Sequence, residues 1–154
     1  MALPDPRQYT TRRTAIVTAL ANKFKEITPT NGYRTNVDQT AFPYLKFWDE
    51  VNEFPSVYLN AGSETRTYQG GGFKDRFMSI AVKAYVQNED DPVKALELLL
   101  EDLETVIEKN GRLAYQDNDG ATQFTRDILV LSIDTDEGLL APLGVGEIIL
   151  QVSY

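Results

Sequence analysis

One stretch constrains the fold more than any other: Phe73 to Gly111, a strand that runs straight into an amphipathic helix. From Phe77 to Val86 the residues alternate. Met78, Ile80, Val82, Ala84 and Val86 share one face, while Ser79, Lys83 and Tyr85 take the other. Period two with one apolar face describes a half-buried strand. Asn88-Glu89-Asp90 interrupts it. Asp91-Pro92 then starts a helix, since the Asp91 carboxylate can accept from the free N–H groups of the first turn and proline lacks an N–H that would be orphaned there anyway. Leu96, Leu99, Leu100, Leu103, Val106 and Ile107 recur on one helical face. Lys109-Asn110-Gly111 closes the helix with a cation near its negative end and a glycine free to adopt positive φ. The rest of the chain is expected to pack on this pair.

The flanking segments supply further elements. A first helix begins at Asp5-Pro6 or at Thr10 or Thr11, carries an apolar stripe of Ile16, Val17, Leu20, Phe24 and Ile27, and ends at Thr28-Pro29. Asn31-Gly32 signals a turn, and Tyr33 to Val37 is a short strand of weak pattern. Ser56 to Ala61 is a strand, and the polar, glycine-rich run from Gly62 to Asp75 is the loop of a long, mobile β-hairpin. Leu113 to Gln123 reads as a polar connection. Thr125 to Ile133 is a strand whose Ile128-Leu129-Val130-Leu131 run is apolar on both faces, which places it in the centre of the sheet. Gly144 to Tyr154 is the last strand, with Ile148, Leu150, Val152 and Tyr154 on one face. The expectation is an α+β fold in a single domain, residues 1–154: an antiparallel or mixed sheet of four to five strands with two helices packed on one face and a long β-hairpin. A chain of 154 residues can bury about 68–70% of its unfolded surface, so it needs no covalent staple.

Composition narrows the chemistry. The chain has neither histidine nor cysteine, which removes the commonest general base, thiolate nucleophiles, disulfides and the usual metal ligands. No cofactor or metal is expected. There is no apolar run long enough to span a bilayer and no signal-peptide pattern at the start, so a soluble, cytoplasmically made protein is expected. The formal charge of −8 opposes sequence-independent nucleic-acid binding. Arg7, Arg12 and Arg13 cluster near the start, a pattern that more often marks a solvated face than a phosphate site.

Motifs that would indicate a small-ligand site fail on spacing. In Gly70-Gly71-Gly72-Phe73-Lys74 the phosphate-loop order is broken and a strand, not a helix, follows. Aligning Gly120 of Asp117-Asn118-Asp119-Gly120 with the glycine of a calcium loop puts Tyr115 and Arg126 where carboxylates are required. Asp134 to Gly138 likewise lacks a closing glutamate, so both clusters read as polar turns. Glu97, Glu101, Glu104 and Glu108 form an acidic ridge on the second helix, either solvated or a dock for a basic partner. Leu98 lies off the main stripe and is either a second core contact or an interface residue. Asp38 to Phe54 follows no period yet holds Phe42, Tyr44, Phe47, Trp48 and Phe54. These rings either pack as a satellite of the domain's own core or form a surface for another subunit.

Taken together, several segments resemble the tail terminator proteins of long-tailed bacteriophages, also called tail completion or minor tail U-like proteins. They are TAIVTALANKF, FPSVYLNAGSETRTYQGGG, the FMSIAVKAYVQNEDDPVKALELLLEDLETVI junction with Asp102 deep in its helix, and GEIILQVSY. The resemblance implies a virion protein that caps the tail tube as a hexameric ring, ends its polymerisation and meets a head-side connector, while DNA passes the lumen without specific binding. On that reading Arg66, Tyr68, Phe73 and Lys74 are candidates for tube or connector contacts, and Phe47, Trp48 and Leu98 for subunit contacts. Alternatives are another neck or tube component, a monomeric ligand-binding module, or a small carboxylate-dependent enzyme with a pocket near Glu101 or Asp117.

Overall fold

A computed structural model describes residues 10–154; the Asp5-Pro6 helix start and Arg7 lie outside them. The first helix, α1 (Arg12–Phe24), is capped by Thr11, whose hydroxyl accepts from the Thr14 N–H. It stops at Phe24, four residues before Thr28. Ile27 lies beyond the helix yet is fully buried, so the last member of the apolar stripe reaches the core from a turn.

Tyr33 to Val37 forms no strand. The segment is a loop tied to the second helix, α2 (Pro92–Lys109), by the buried Asp102 carboxylate. That carboxylate accepts from the Arg34 and Thr35 N–H groups at 3.0 and 2.8 Å and from the Thr35 hydroxyl at 2.6 Å. Side-chain bonds from another element replace the sheet ladder that a strand would need.

The central sheet has five strands: β1 (Ala41–Phe42), β2 (Ser56–Tyr68), β3 (Lys74–Gln87), β6 (Asp127–Thr135) and β7 (Leu143–Ser153). Their spatial order is β1-β2-β3-β7-β6. All neighbours are antiparallel except β1, which pairs parallel with Val57 and Tyr58 of β2. A small separate hairpin of β4 (Ala114–Gln116) and β5 (Thr122–Phe124) occupies what the sequence suggested was an open connection, and buries Leu113 and Tyr115 beside α1. The fold is α+β, with both helices on one face of the sheet.

The core lies between that face and the helices. Met78, Ile80, Val82, Ala84 and Val86 of β3 are buried with Ile148, Leu150 and Val152 of β7 against Leu96, Leu99, Leu100 and Leu103 of α2. The strand–helix junction forms as its period requires: Asp91 accepts from the Lys94 N–H at 3.1 Å and Pro92 opens the helix. Asn110 rather than Gly111 provides the end, its N–H bonding the Ile107 carbonyl, and Gly111 is not among the residues at positive φ. Helix α2 lies close on β7. A side chain at Gly144 would bring a Cβ within 2.7 Å of Val86 Cγ2 and 2.9 Å of the Pro92 carbonyl oxygen.

Two expectations about the sheet change. The polar run from Gly62 to Asp75 is not a loop; β2 continues to Tyr68 and β3 starts at Lys74. The turn itself is only Gln69 to Phe73, closed by the Gln69 N–H on the Phe73 carbonyl at 2.7 Å, with Gly71 and Gly72 at positive φ. Polar sequence here marks hairpin arms that project past the core, since β7 ends opposite Phe77. The second change concerns β6, which is at the edge rather than the centre. Its outer face is uncovered: Leu129 and Leu131 are about half exposed, at 47% and 57%. The strand between it and the central β3 is β7, whose glycines admit α2. An apolar face on a strand requires a cover, but that cover need not come from the same chain.

Candidate functional site

The projecting hairpin gathers four of the sequence candidates. Arg66, Tyr68 and Lys74 lie on its arms, Tyr68 directly opposite Lys74, and Phe73 ends the turn. Tyr68 and Phe73 are 70% and 73% exposed, the most open aromatics among the described residues. Large rings this free of contacts on a two-stranded arm are unusual unless something covers them.

The hairpin base is held by charge. Glu64 follows a register shift in β2 that begins after Ala61. Its carboxylate accepts from the Tyr154 hydroxyl and from Arg66 Nε at 2.7 Å, with Arg13 Nε 3.8 Å away. Burial pushes this carboxyl up, but the bonds from Tyr154 and Arg66 and the Arg66 and Arg13 charges outweigh it and hold it below the ordinary value. Burial and the bond to Glu64 raise the Tyr154 phenol. Arg12 and Arg76 stand over the Tyr154 ring at 5.1 and 5.6 Å, within cation–π range. On the other side of the arm Asp75 accepts from Arg126 at 2.5 Å and from Gln69 at 3.1 Å, and these bonds lower its pKa. Arg66 is thus oriented by an acid two residues away, while the tip beyond it remains free.

The remaining candidates divide between two other surfaces. The aromatic segment 38–54 folds over the outer face of the sheet at the end away from the hairpin. Phe42 stacks on Tyr58 at 5.2 Å, and the buried Tyr85 hydroxyl donates to the Lys46 carbonyl at 2.6 Å. Burial drives the Tyr85 phenol up to about 12. The satellite-core reading holds for Phe42 and Phe54, which pack on Val51, Tyr58 and Tyr85, whereas Phe47 and Trp48 remain 59% and 47% exposed. Leu98 lies on the helix side, half-buried in a groove between α2 and β6 that it shares with Glu97, Glu101, Glu104 and Ile133. The structure does not bring Leu98 together with Phe47 and Trp48.

Sequence reasoning missed the exposed row on β6. It also missed the meeting of Arg13 and Tyr154 with Glu64, and of Arg12 and Arg76 with the Tyr154 ring. The first has a signal, the doubly apolar run 128–131, which by itself points to the sheet centre. The second joins residues up to 90 positions apart and has none.

The polar turns behave as local chemistry. Asp117 accepts from the Asp119 and Ala121 N–H groups and from Gln123, bonds that lower its pKa, and Asp136 accepts from the Leu140 and Val145 N–H groups. Among the described residues no cluster of acidic side chains is arranged to hold a metal ion, and no helix is long and apolar enough to cross a membrane.

Comparison with known proteins gives these surfaces a context. A family model described as bacteriophage tail tube terminator protein matches residues 10–154. The tail tube terminator protein p142 of Escherichia phage T5 is 33% identical over 128 residues, covering 80% of this chain and 77% of that protein. On a match spanning the whole described structure, the chain belongs to the bacteriophage tail tube terminator family.

Proposed function

We propose that this chain is a structural component of the virion tail that caps the finished tail tube, stops its polymerisation and offers its other face to the head-side connector. In this reading six copies form a ring in the neck, and DNA passes through its lumen without specific binding. Family membership over residues 10–154 carries the proposal. The geometry supports it with a hairpin whose aromatic tip projects from the domain and with two further surfaces that leave apolar side chains open.

The hairpin tip is the proposed contact with the tube or connector, through Arg66, Tyr68, Phe73 and Lys74. Stopping a polymer requires one face that fits the last tube ring and another that refuses the next one. A projecting arm presenting two rings and two cations suits the first task, because aromatic and arginine side chains are enriched among the residues that dominate interface energy. Phe47, Trp48 and Leu98 are the proposed subunit contacts. Host-cytoplasmic synthesis followed by incorporation into the virion fits this role.

The test is tube assembly in the presence of this protein. Wild-type chain added to polymerising tube protein is expected to bind tube ends and shorten the tubes. The combined Arg66→Ala, Tyr68→Ala, Phe73→Ala and Lys74→Ala variant is expected to fold with an unchanged circular dichroism spectrum and lose end binding. Wild-type behaviour of that variant would sink the hairpin contact. Spontaneous stacking of the protein into tubes of its own would instead favour a tube component.

A further inference from the structure

We infer that the free edge of β6 and the free edge of β2 are the two halves of one contact, in which β6 of one copy pairs with β2 of the next. The inference rests on the ring reading above and assigns the surfaces that close it.

The two edges lie on opposite sides of one sheet and both are open. Strand β6 ends the strand order, runs for nine residues and carries the exposed Leu129 and Leu131 beside its unpaired backbone. A long apolar edge is a template for another strand, and here only the register shift at Leu131 and the acids Asp127 and Asp134 interrupt it. At the other side, β1 covers only Val57 and Tyr58 of β2. Beyond these, among the described residues β2 has no strand on its outer side up to Tyr68, and only the Gly62 carbonyl there takes a side-chain bond, from Arg13.

Direction and charge favour joining these edges. Because β2–β3, β3–β7 and β7–β6 are each antiparallel, β6 runs opposite to β2. A copy placed alongside by rotation about an axis near the strand direction therefore offers its β2 antiparallel to β6, and the ladder continues without a change of type. Acidic groups flank β6: Asp127, Asp134 and Asp136 on or after the strand, and Glu97 and Glu101 in the adjoining groove. Cations outnumber acids at the β2 edge: Arg13 on α1 and Arg66 on β2 share the one carboxylate of Glu64, and Arg76 stands behind them on β3 over the Tyr154 ring. Opposite charge on the two edges steers them together and disfavours β6 meeting β6. Unlike patches on opposite sides of a subunit join head to tail, and such contacts close into a ring when the rotation divides the circle. The contact would also cover the leucines that the isolated chain leaves in water.

The absence of cysteine makes the test clean. Double variants pair Thr65→Cys or Thr67→Cys on β2 with Leu129→Cys or Leu131→Cys on β6, all facing the outer side of the sheet. Within one chain β3 and β7 separate the two sites by about 14 Å, beyond the reach of a disulfide. Under mild oxidation at least one double variant is expected to give a ladder of covalent oligomers ending at the ring. A mixture of the two matching single variants should give covalent dimers and nothing longer. Rings of normal mass with no ladder from any of the four pairs would overturn the edge contact and leave the ring intact. A chain that stays monomeric with and without tubes would overturn both.

Discussion

At the scale of single residues, two carboxylates hold long-range contacts that the local sequence does not announce. Asp102 lies on a helix face among leucines and binds a loop 67 positions away. Removing it strands two backbone N–H groups and a hydroxyl, each left unsatisfied at a cost of about 1–3 kcal/mol where water cannot replace the acceptor. Asp102→Ala is expected to lower unfolding free energy by about 2–3 kcal/mol and to speed amide exchange at Arg34 and Thr35. Unchanged exchange there would show that the loop is held by something else. Glu64 gives a pH signature. Its folded pKa lies below the unfolded value of 4.5, so its bonds to Tyr154 and Arg66 add stability that is complete above that value. The stability is lost as pH falls through the folded pKa. Glu64→Gln should therefore be less stable than wild type at neutral pH, with the difference in Tm shrinking as pH drops below about 4.5. A difference that stays constant down to pH 2 would contradict this origin.

At the scale of elements, legibility followed the range of the forces involved. The β3–α2 junction was readable because alternation, the Asp91-Pro92 start and the leucine spacing are local, and each was met in place. The hairpin was readable, but its turn was drawn too wide because exposed strand arms are as polar as loops. Strand β6 was found yet misplaced. Apolar residues on two faces report that both faces are to be covered, not which chain covers them. The 33–37 segment failed because its backbone partners sit on α2. In the sequence Gly144 and Gly146 read only as strand residues, although they are where α2 rests on β7. The close approach of Val86 and the Pro92 carbonyl to Gly144 means that Gly144→Ala must push the helix outward. It is expected to cost about 1–3 kcal/mol, read as a lower denaturation midpoint with an unchanged slope. A neutral result would mean that the helix–strand spacing is not tightly set.

At the scale of the whole molecule, the candidate site was partly legible. The four hairpin residues come together on one arm, whereas Phe47 and Trp48 lie on the opposite side of the sheet from Leu98. No period or spacing could have shown that division, because it depends on which face the aromatic segment folds over. The domain leaves three surfaces unfinished: a hairpin tip, an aromatic flap and an apolar sheet edge. Together they suit a subunit with neighbours on more than one side. The most direct measurement is the mass of the purified protein over a concentration series, alone and with tail tubes, with negative-stain images of the same samples. A closed ring of six copies, in solution or formed at one end of each tube, is the predicted result. A monomer that associates neither with itself nor with tubes would contradict the account.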